Sequence, residues 1–226
     1  MRSNAIRRAS GSRSTIISMK TISFIFFDVG GVLLTNGWDT AGREQTAAQF
    51  GLEFDEFQTR HEQLFEPLER AEITLAEYLD AVIFHRPRPF NREEFVHAMR
   101  SHSRAHPSSL EVLAKLARGG KYRLGTLNNE SLDLNLYRIS QFGLRQYCGT
   151  FFSSCFLGVR KPGRKIYDMA LRVAQVEPEH SLFIDDREEN VEGARAVGMN
   201  AAHLRDPADI EGLLRSHGIE FYMTIG

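Results

Sequence analysis

The stretch Ile22-Ser23-Phe24-Ile25-Phe26-Phe27-Asp28-Val29-Gly30-Gly31 decides the fold of this chain. Its first six residues are almost uniformly apolar and aromatic. Such a run predicts a β-strand covered on both faces, as in a parallel sheet. The run ends at Asp28, and the two glycines that follow permit a sharp turn. We therefore expect a buried strand with a carboxylate at its carboxyl end.

Outward from this strand, the chain divides into a helical block and a region where helices and strands alternate. Within residues 39–100, apolar residues recur at helical spacings in the segments 45–50, 54–65, 75–84 and 93–99. From residue 108 a helix runs to the Gly119-Gly120 pair, where it ends. Beyond it, the pattern predicts strands at 122–127, 150–156, 181–184, 200–204 and 219–223, and helices at 165–174, 189–197 and 207–216.

This alternation predicts the α/β fold class, with a Rossmann-like parallel sheet and helices on both of its faces. The helical block after the first strand is then an inserted cap. We expect an α/β core domain over residues 21–36 and 101–226, and an α-helical cap over 37–100. Residues 1–20 contain five basic residues and no acidic one, which predicts a basic, disordered extension. The alternative interpretations of residues 1–20 are an organelle-targeting segment and a kinase site around Ser10.

The composition excludes several functional classes. The 226 residues are 42% hydrophobic and 25% charged, which is ordinary for a globular protein, and the formal net charge is −1. That charge gives no general reason to expect nucleic-acid or membrane partners. No apolar stretch approaches the roughly 20 residues of a membrane-spanning helix. Two cysteines, Cys148 and Cys155, cannot form a disulfide framework, so we expect a soluble protein in the reducing cytoplasm.

Polar side chains follow four of the predicted strands. Ligands of parallel α/β sheets bind beyond the carboxyl ends of the strands, so these positions are the first candidates for function. They are Asp28, Asn128 with Asn129, Arg160 with Lys161, and Asp185 with Asp186. The predicted topology would bring three carboxylates, a cation and amide groups to one edge of the sheet.

These groups have complementary chemistry. Neighbouring carboxylates repel each other unless a cation neutralises them, and their hard oxygens suit Mg²⁺. A divalent ion and a lysine would hold a phosphate dianion against an aspartate nucleophile. The Gly30-Gly31 turn would leave backbone N–H groups free to face phosphate oxygens.

Each position also has an ordinary structural explanation. An aspartate after a strand is often a turn or cap residue, and a loop lysine is usually a solvated charge. The Asp185-Asp186 pair is also typical of a helix N-terminus, where acidic side chains complement the helix dipole. The coincidence of four such positions at strand ends favours a functional site.

Four motifs in order make the chain resemble the haloacid dehalogenase superfamily of hydrolases, of the phosphatase type with a small helical cap. They are FFDVGGVL at 26–33, YRLGTLNN at 122–129, GVRKP at 158–162 and FIDDREENV at 183–191. The resemblance extends over about residues 21–205.

The resemblance implies roles for individual residues. Asp28 is the expected nucleophile and a direct Mg²⁺ ligand, and the Gly30 carbonyl and Asp186 complete the ligands. Asp185 and Asn190 are expected to support the metal, directly or through water. The expected phosphoryl-binding groups are the Gly30-Gly31 turn, Asn128, Asn129 and Lys161, and Lys161 is also expected to steady Asp28. The expected partner is a small phosphorylated metabolite.

Two positions depart from the pattern of the superfamily. Its phosphatases usually carry a second aspartate two residues after the nucleophile, as general acid and then base, and this chain has Gly30 there. General acid–base catalysis typically contributes about 10²–10⁴-fold, so a substitute is needed or activity is low. The second departure is Asn128, where Ser or Thr is usual; its amide N–H can still donate to a phosphate oxygen.

Three functions remain open at this point. A phosphatase comes first, and a substrate with a good leaving group, such as an anomeric sugar phosphate, would need a general acid least. A dehalogenase is the second possibility, because a halide leaves without a proton, although the Asp185-Asp186 pair favours a metal site. The third is a catalytically weak binding or regulatory protein, consistent with the loss of an acid–base residue.

The cap is expected to determine the substrate. Six of its residues are candidates to face the site, although aromatic side chains there also suit packing between helices. They are Trp38, Arg43, His61, Phe65, Arg86 and Arg88. The sequence gives no indication of the oligomeric state.

Overall fold

The computed structural model describes residues 21–221, and a five-stranded parallel sheet lies at the centre of these residues. The strands are β1 (Phe24–Phe27), β2 (Arg123–Asn128), β3 (Thr150–Ser153), β4 (Ser181–Asp185) and β5 (Asn200–His203), and their spatial order is β3-β2-β1-β4-β5. The predicted α/β fold is confirmed, and the apolar run that precedes Asp28 is its central strand. Residues 1–20, with the predicted basic extension, lie outside the described residues.

Ten α-helices surround the sheet within residues 21–221. Four of them follow β1: α1 (Thr40–Phe50), α2 (Phe54–Glu69), α3 (Leu75–Val82) and α4 (Arg92–Ser101). The others are α5 (Pro107–Gly119), α6 (Leu132–Gln141), α7 (Ser154–Leu157), α8 (Arg164–Ala174), α9 (Glu188–Arg195) and α10 (Ile210–Ser216). No helix in this part of the chain is long and apolar enough to cross a membrane.

Strand β1 supplies both faces of the sheet with core side chains, because successive residues of a strand point to opposite faces. Ile25 and Phe27 belong to a hydrophobic cluster that includes residues of α5 and α10. Phe24 and Phe26 belong to a second cluster, with residues of α8 and α9. All four side chains are at most 2% exposed, and each such burial stabilises the fold by roughly 1.5–3 kcal/mol.

The helices between Thr40 and Ser101 pack around a third hydrophobic cluster of their own, which includes Phe57, Tyr78 and Phe95. Capping boxes begin α3 and α4 and fix where these helices start. The predicted cap boundaries, 37–100, stay a prediction. The end of α2 contacts the sheet domain through Glu69, whose backbone oxygen accepts a hydrogen bond of 2.8 Å from the Ser154 hydroxyl.

The structure corrects three sequence-based expectations about elements. The strand predicted at 150–156 ends at Ser153, because α7 begins at Ser154 and Gly158 closes it with a positive φ of 67°. The strand predicted at 219–223 is wrong over its described part, 219–221; the Ile219 N–H instead donates to Leu214 O at the end of α10. Helix α6 was not predicted from the sequence.

Candidate active site

The register of the sheet brings three carboxylates together. Phe27 lies level with Ile184 of β4, so Asp28 and Asp185 both emerge at the carboxyl edge of neighbouring strands. Asp186 follows directly. Each of these three residues offers a carboxylate oxygen, and these atoms all lie within 4.8 Å of one another. The predicted convergence of Asp28 with Asp185 and Asp186 is therefore present in the structure.

Lys161 lies between two of these carboxylates. Its Nζ is 3.0 Å from Asp28 Oδ1 and 2.6 Å from Asp185 Oδ2, and its side chain is only 1% exposed. Although burial alone would lower the pKa of Lys161, the neighbouring carboxylates raise it above its usual value. The side chain therefore carries its positive charge throughout the physiological range.

Asn129 holds the loop that carries Lys161. Its amide Nδ2 donates to Lys161 O and its Oδ1 accepts from the Lys161 N–H, each at 2.9 Å. Both ends of the Asn129 amide are thus hydrogen-bonded to backbone. Asn129 lines the cavity described below, but its contacts point to positioning of Lys161.

The charge of the carboxylate cluster is incompletely compensated. Burial raises the pKa of Asp28 well above its usual value, the carboxylates of Asp185 and Asp186 raise it further, and Lys161 opposes the shift. One ammonium group stands against three carboxylates. In addition, Asp186 Oδ1 is buried and has no hydrogen-bond partner among residues 21–221. A divalent cation would neutralise the excess negative charge and would give Asp186 Oδ1 a partner.

Asp185 and Asp186 differ in how their oxygens are used. Asp185 accepts from Asn190 Nδ2 at 3.0 and 3.2 Å, from the Arg187 N–H at 2.8 Å and from Lys161. Asp186 accepts from Asn36 Nδ2, which lies 3.1 Å from Oδ2. The free oxygen of Asp186 makes it the better direct metal ligand, whereas Asp185 orients the groups around it.

The glycine turn beyond Asp28 is shaped by the site. Gly31 has a φ of +70°, and a Cβ at this position would overlap the Asp186 carboxylate. A Cβ on Gly30 would lie 2.9 Å from Asn36 Oδ1 and 3.7 Å from the NH1 nitrogen of Arg138. Both glycines therefore allow charged and polar side chains to approach the backbone closely.

Asn128 does not take the position predicted for it. Its Nδ2 donates to Asn135 Oδ1 at 3.2 Å, and its Oδ1 accepts from the Ser153 hydroxyl at 2.8 Å. The side chain is 2% exposed and does not line the cavity. Both ends of the amide are thus engaged with buried partners, so the structure argues against its predicted contact with a phosphoryl group.

A cavity of about 560 Å³ lies over Asp28 and Lys161, between the sheet edge and helices α1 and α2 of the cap. Four of the six predicted cap residues line it: Trp38, Arg43, His61 and Phe65. The expectation is wrong for Arg86 and Arg88. Arg86 pairs with Glu56 at 2.5 Å, and Arg88 Nε donates to Ile83 O at 2.7 Å, so both are engaged away from the cavity.

The cap side of the cavity contains a buried cation and a neutral imidazole. Arg43 donates to Gln58 Oε1, Trp38 O and the Thr40 hydroxyl, which are uncharged acceptors. His61 Nδ1 lies 2.8 Å from the Tyr78 hydroxyl, and burial lowers the pKa of His61 to about 3. His61 is therefore uncharged at neutral pH and available only for hydrogen bonding and packing.

Sequence reasoning missed several residues of this cavity, among them Asn36, Glu130 and Arg138. Glu130 lies two positions beyond the end of β2, so the rule of strand ends could have found it. Arg138 lies on α6, which was itself not predicted. The NH1 nitrogen of Arg138 is 3.0 Å from Glu130 Oε2, and both side chains are largely buried.

Several known proteins resemble this chain in sequence. Residues 22–198 match the family of haloacid dehalogenase-like hydrolases. A sesquiterpene phosphatase from Aspergillus oryzae is 40% identical over 55 residues, which are 24% of this chain and only 28% of that protein. A glyceraldehyde 3-phosphate phosphatase from Pyrococcus abyssi is 26% identical over 196 residues, covering 81% of this chain and 82% of that protein.

Solved structures share the fold. A haloacid dehalogenase family enzyme from Bacteroides thetaiotaomicron superposes with a TM-score of 0.77 at 23% identity, over 87% of this chain and 100% of that one. Its complex with magnesium and inorganic phosphate superposes with a TM-score of 0.67 at 22% identity, over 80% and 93% of the two chains.

Proposed function

The chain belongs to the family of haloacid dehalogenase-like hydrolases, and we propose that it is a magnesium-dependent phosphatase with Asp28 as nucleophile. The observation that carries the proposal is the placement of Asp28. Its carboxylate is buried at the edge of a cavity, paired with Lys161 and grouped with Asp185 and Asp186. The phosphatase relatives named above support this choice within the family.

The residues present fit a magnesium ion. The ion would be held by Asp28, Asp186 and the Gly30 carbonyl, with Asp185 in support, and hard oxygen donors of this kind suit Mg²⁺. The unpartnered Oδ1 of Asp186 supplies a ligand atom that nothing in the described chain uses. When bound, Mg²⁺ neutralises the carboxylates and withdraws negative charge from phosphate oxygens. The magnesium and phosphate complex of the Bacteroides enzyme supports this assignment.

The chain's own residues then carry the two phosphoryl-transfer steps of the hydrolysis. Asp28 attacks the phosphorus atom of a phosphate monoester as the ester oxygen departs, which gives an aspartyl phosphate and an alcohol. Water attacks the same phosphorus, and Asp28 is released as a carboxylate with inorganic phosphate. Lys161 favours the ionised form of Asp28 against the effect of burial and attracts the phosphoryl group. The Gly30-Gly31 turn would direct backbone N–H groups at phosphate oxygens.

The proposed substrate is a small phosphorylated metabolite such as a sugar phosphate. The cavity volume of about 560 Å³ suits a small ester. Its cap side offers Arg43 and uncharged His61 as hydrogen-bonding groups for oxygen atoms of the substrate, while Trp38 and Phe65 supply apolar surface. The Pyrococcus relative, a glyceraldehyde 3-phosphate phosphatase by name, supports a small substrate of this kind.

A panel of phosphate esters, assayed with and without Mg²⁺, tests this function. We expect phosphate release that requires Mg²⁺ and is lost in Asp28→Asn, which keeps the shape of the side chain but not its nucleophile. Ligand binding that persists in Asp28→Asn without turnover of any ester would instead indicate a binding protein. Release of chloride from 2-chloropropionate in the presence of a chelator would indicate a dehalogenase.

A further inference from the structure

The residues assigned so far to the proposed reaction include no group that donates and accepts protons. The alcohol must receive a proton as it leaves, and the attacking water must lose one, yet Gly30 has no side chain to exchange either. Any substitute must carry a titratable group, line the cavity that holds Asp28, and lie near the space left open at Gly30. Glu130 meets these conditions.

Glu130 lies in the same cavity as Asp28, close to the space left open at Gly30. It follows β2, the strand next to β1, and it lines the same cavity as Asp28. The NH1 nitrogen of Arg138 connects it to the open space: NH1 lies 3.0 Å from Glu130 Oε2 and 3.7 Å from where a Cβ on Gly30 would be. One guanidinium nitrogen therefore lies close to both the carboxyl group of Glu130 and the space left open at Gly30.

Hydrogen bonding holds this carboxyl group in place and leaves it able to react. Oε1 accepts from the Ser131 N–H at 3.0 Å, and Oε2 accepts from Arg138. Each oxygen keeps a second lone pair, at which a proton can be bound and later released. The backbone of Glu130 is fixed as well, because its N–H donates to the Ser154 hydroxyl at 3.0 Å.

The surrounding charges suit a group that must both donate and accept a proton. The titratable groups facing Glu130 are Arg138 from α6, Glu69 at the end of α2 and Cys155 from α7. Burial raises the pKa of Glu130 to about 7, Arg138 lowers it and Glu69 raises it. A carboxyl group whose pKa lies near neutrality populates both protonation states at the working pH.

We propose that Glu130 is the general acid and then the general base of this enzyme, in place of the side chain absent at Gly30. The inference rests on the proposed phosphatase function. In the first step, protonated Glu130 gives its proton to the ester oxygen as the bond from phosphorus to that oxygen breaks and the bond to Asp28 forms. In the second, the Glu130 carboxylate takes a proton from water as the water oxygen bonds to phosphorus and Asp28 departs. Glu130 ends protonated, as it began.

Leaving-group dependence separates this role from a structural one. The experiment compares wild type with Glu130→Gln in Mg²⁺ on an alkyl phosphate and on 4-nitrophenyl phosphate, whose leaving group needs no proton. For the alkyl ester we expect kcat/KM to fall by about 10²–10⁴-fold, the usual contribution of acid–base catalysis. For 4-nitrophenyl phosphate we expect kcat/KM to change less than about tenfold, with a burst of nitrophenolate before slow turnover.

The pH profile gives a second readout. In wild type, kcat/KM for the alkyl ester should fall as the pH rises through about 7, because the acid form is required, and Glu130→Gln should lack that limb. Glu130→Asp, which keeps the carboxyl group, should retain the limb at a lower rate even if Glu130→Gln folds poorly. Gly30→Asp added to Glu130→Gln should recover part of the alkyl ester activity.

The outcomes separate the two proposals. Equal losses on both esters, or no loss on either, would overturn the role of Glu130 while Asp28-dependent phosphate release leaves the phosphatase function standing. Absence of phosphate release by the wild-type enzyme on every ester would overturn the proposed function, and the role of Glu130 with it.

Discussion

Lys161 forms a buried ion pair with Asp28, in which Nζ lies 3.0 Å from Oδ1 and the lysine side chain is 1% exposed. The pair joins the loop after α7 to the turn after β1, so it links two motifs that are more than 130 residues apart in the sequence. Because both groups are removed from water, loss of either one leaves the remaining buried charges of the cluster less well compensated. The same contact therefore affects stability and the proposed chemistry.

Replacing Lys161 by Met should abolish phosphate release and destabilise the protein. Removing one partner of a buried ion pair leaves the other charge uncompensated, which typically costs about 3–5 kcal/mol. Urea unfolding and phosphate release measure the two effects. Lys165→Met, an exposed lysine at the start of α8, is the matched control and should leave both nearly unchanged. Normal turnover in Lys161→Met would contradict the assignment.

The carboxylate cluster could be predicted from the sequence because it depends only on strand ends and parallel pairing. Asp28 follows β1 and Asp185 ends the adjacent strand β4, so an apolar run and a topology were enough to bring them together. Asn128 met the same rule, yet its side chain turned to Ser153 and Asn135. A strand end fixes where a Cα lies, but the rotamer depends on neighbours from other elements.

The pairing of Glu130 with Arg138 could not be predicted from the sequence. Their pairing depends on α6, which was not predicted and whose buried residues include the polar Asn135 and Arg138 beside Leu134 and Ile139. Arg138 also needs Gly37, where a Cβ would overlap its guanidinium. Such contacts join distant segments through single side chains, so no local spacing predicts them. The cap residues Arg86 and Arg88 were misjudged for the same reason, since their partners are set by cap packing.

Gly31→Ala should eliminate activity and strongly weaken Mg²⁺ binding, and its effect on stability should be small by comparison. The added Cβ would overlap the Asp186 carboxylate and displace it. Gly120→Ala is the matched control, because Gly120 has a similar φ of +62° and nothing within 4 Å of a Cβ. Both variants bear the strain of a left-handed residue, about 1–2 kcal/mol. Titration calorimetry with Mg²⁺ distinguishes them, and equal affinities would contradict the prediction.

Asn36→Ala should lower the affinity for Mg²⁺ by about 10–100-fold, the usual effect of removing a group that orients a metal ligand. Its Nδ2 holds Asp186 Oδ2 at 3.1 Å, so without it the carboxylate loses a fixed orientation. Asn91→Ala provides the opposite control. It removes the N-cap of α4, which should cost about 1 kcal/mol of stability without changing Mg²⁺ affinity. Unchanged affinity in Asn36→Ala would exclude this role.

Glu130 should make the stability of the wild-type protein fall with rising pH. Burial raises its folded-state pKa from 4.5 to about 7, so the folded protein holds the proton more tightly than the unfolded chain. The resulting stabilisation is complete below the unfolded pKa and is lost as the pH rises through the folded one. Over this window the loss amounts to about 3 kcal/mol.

Glu130→Gln cannot titrate, so subtracting its unfolding free energy from that of wild type isolates this contribution from every other group. The difference should decrease by about 3 kcal/mol between about pH 4.5 and pH 7.5. Urea unfolding of both proteins in a chelator measures it without metal binding at Asp28 and Asp186. A constant difference across this range would mean that Arg138 keeps Glu130 ionised throughout. Glu130 would then hold no proton for a leaving group at neutral pH, so this measurement tests its proposed catalytic role independently of any assay of turnover.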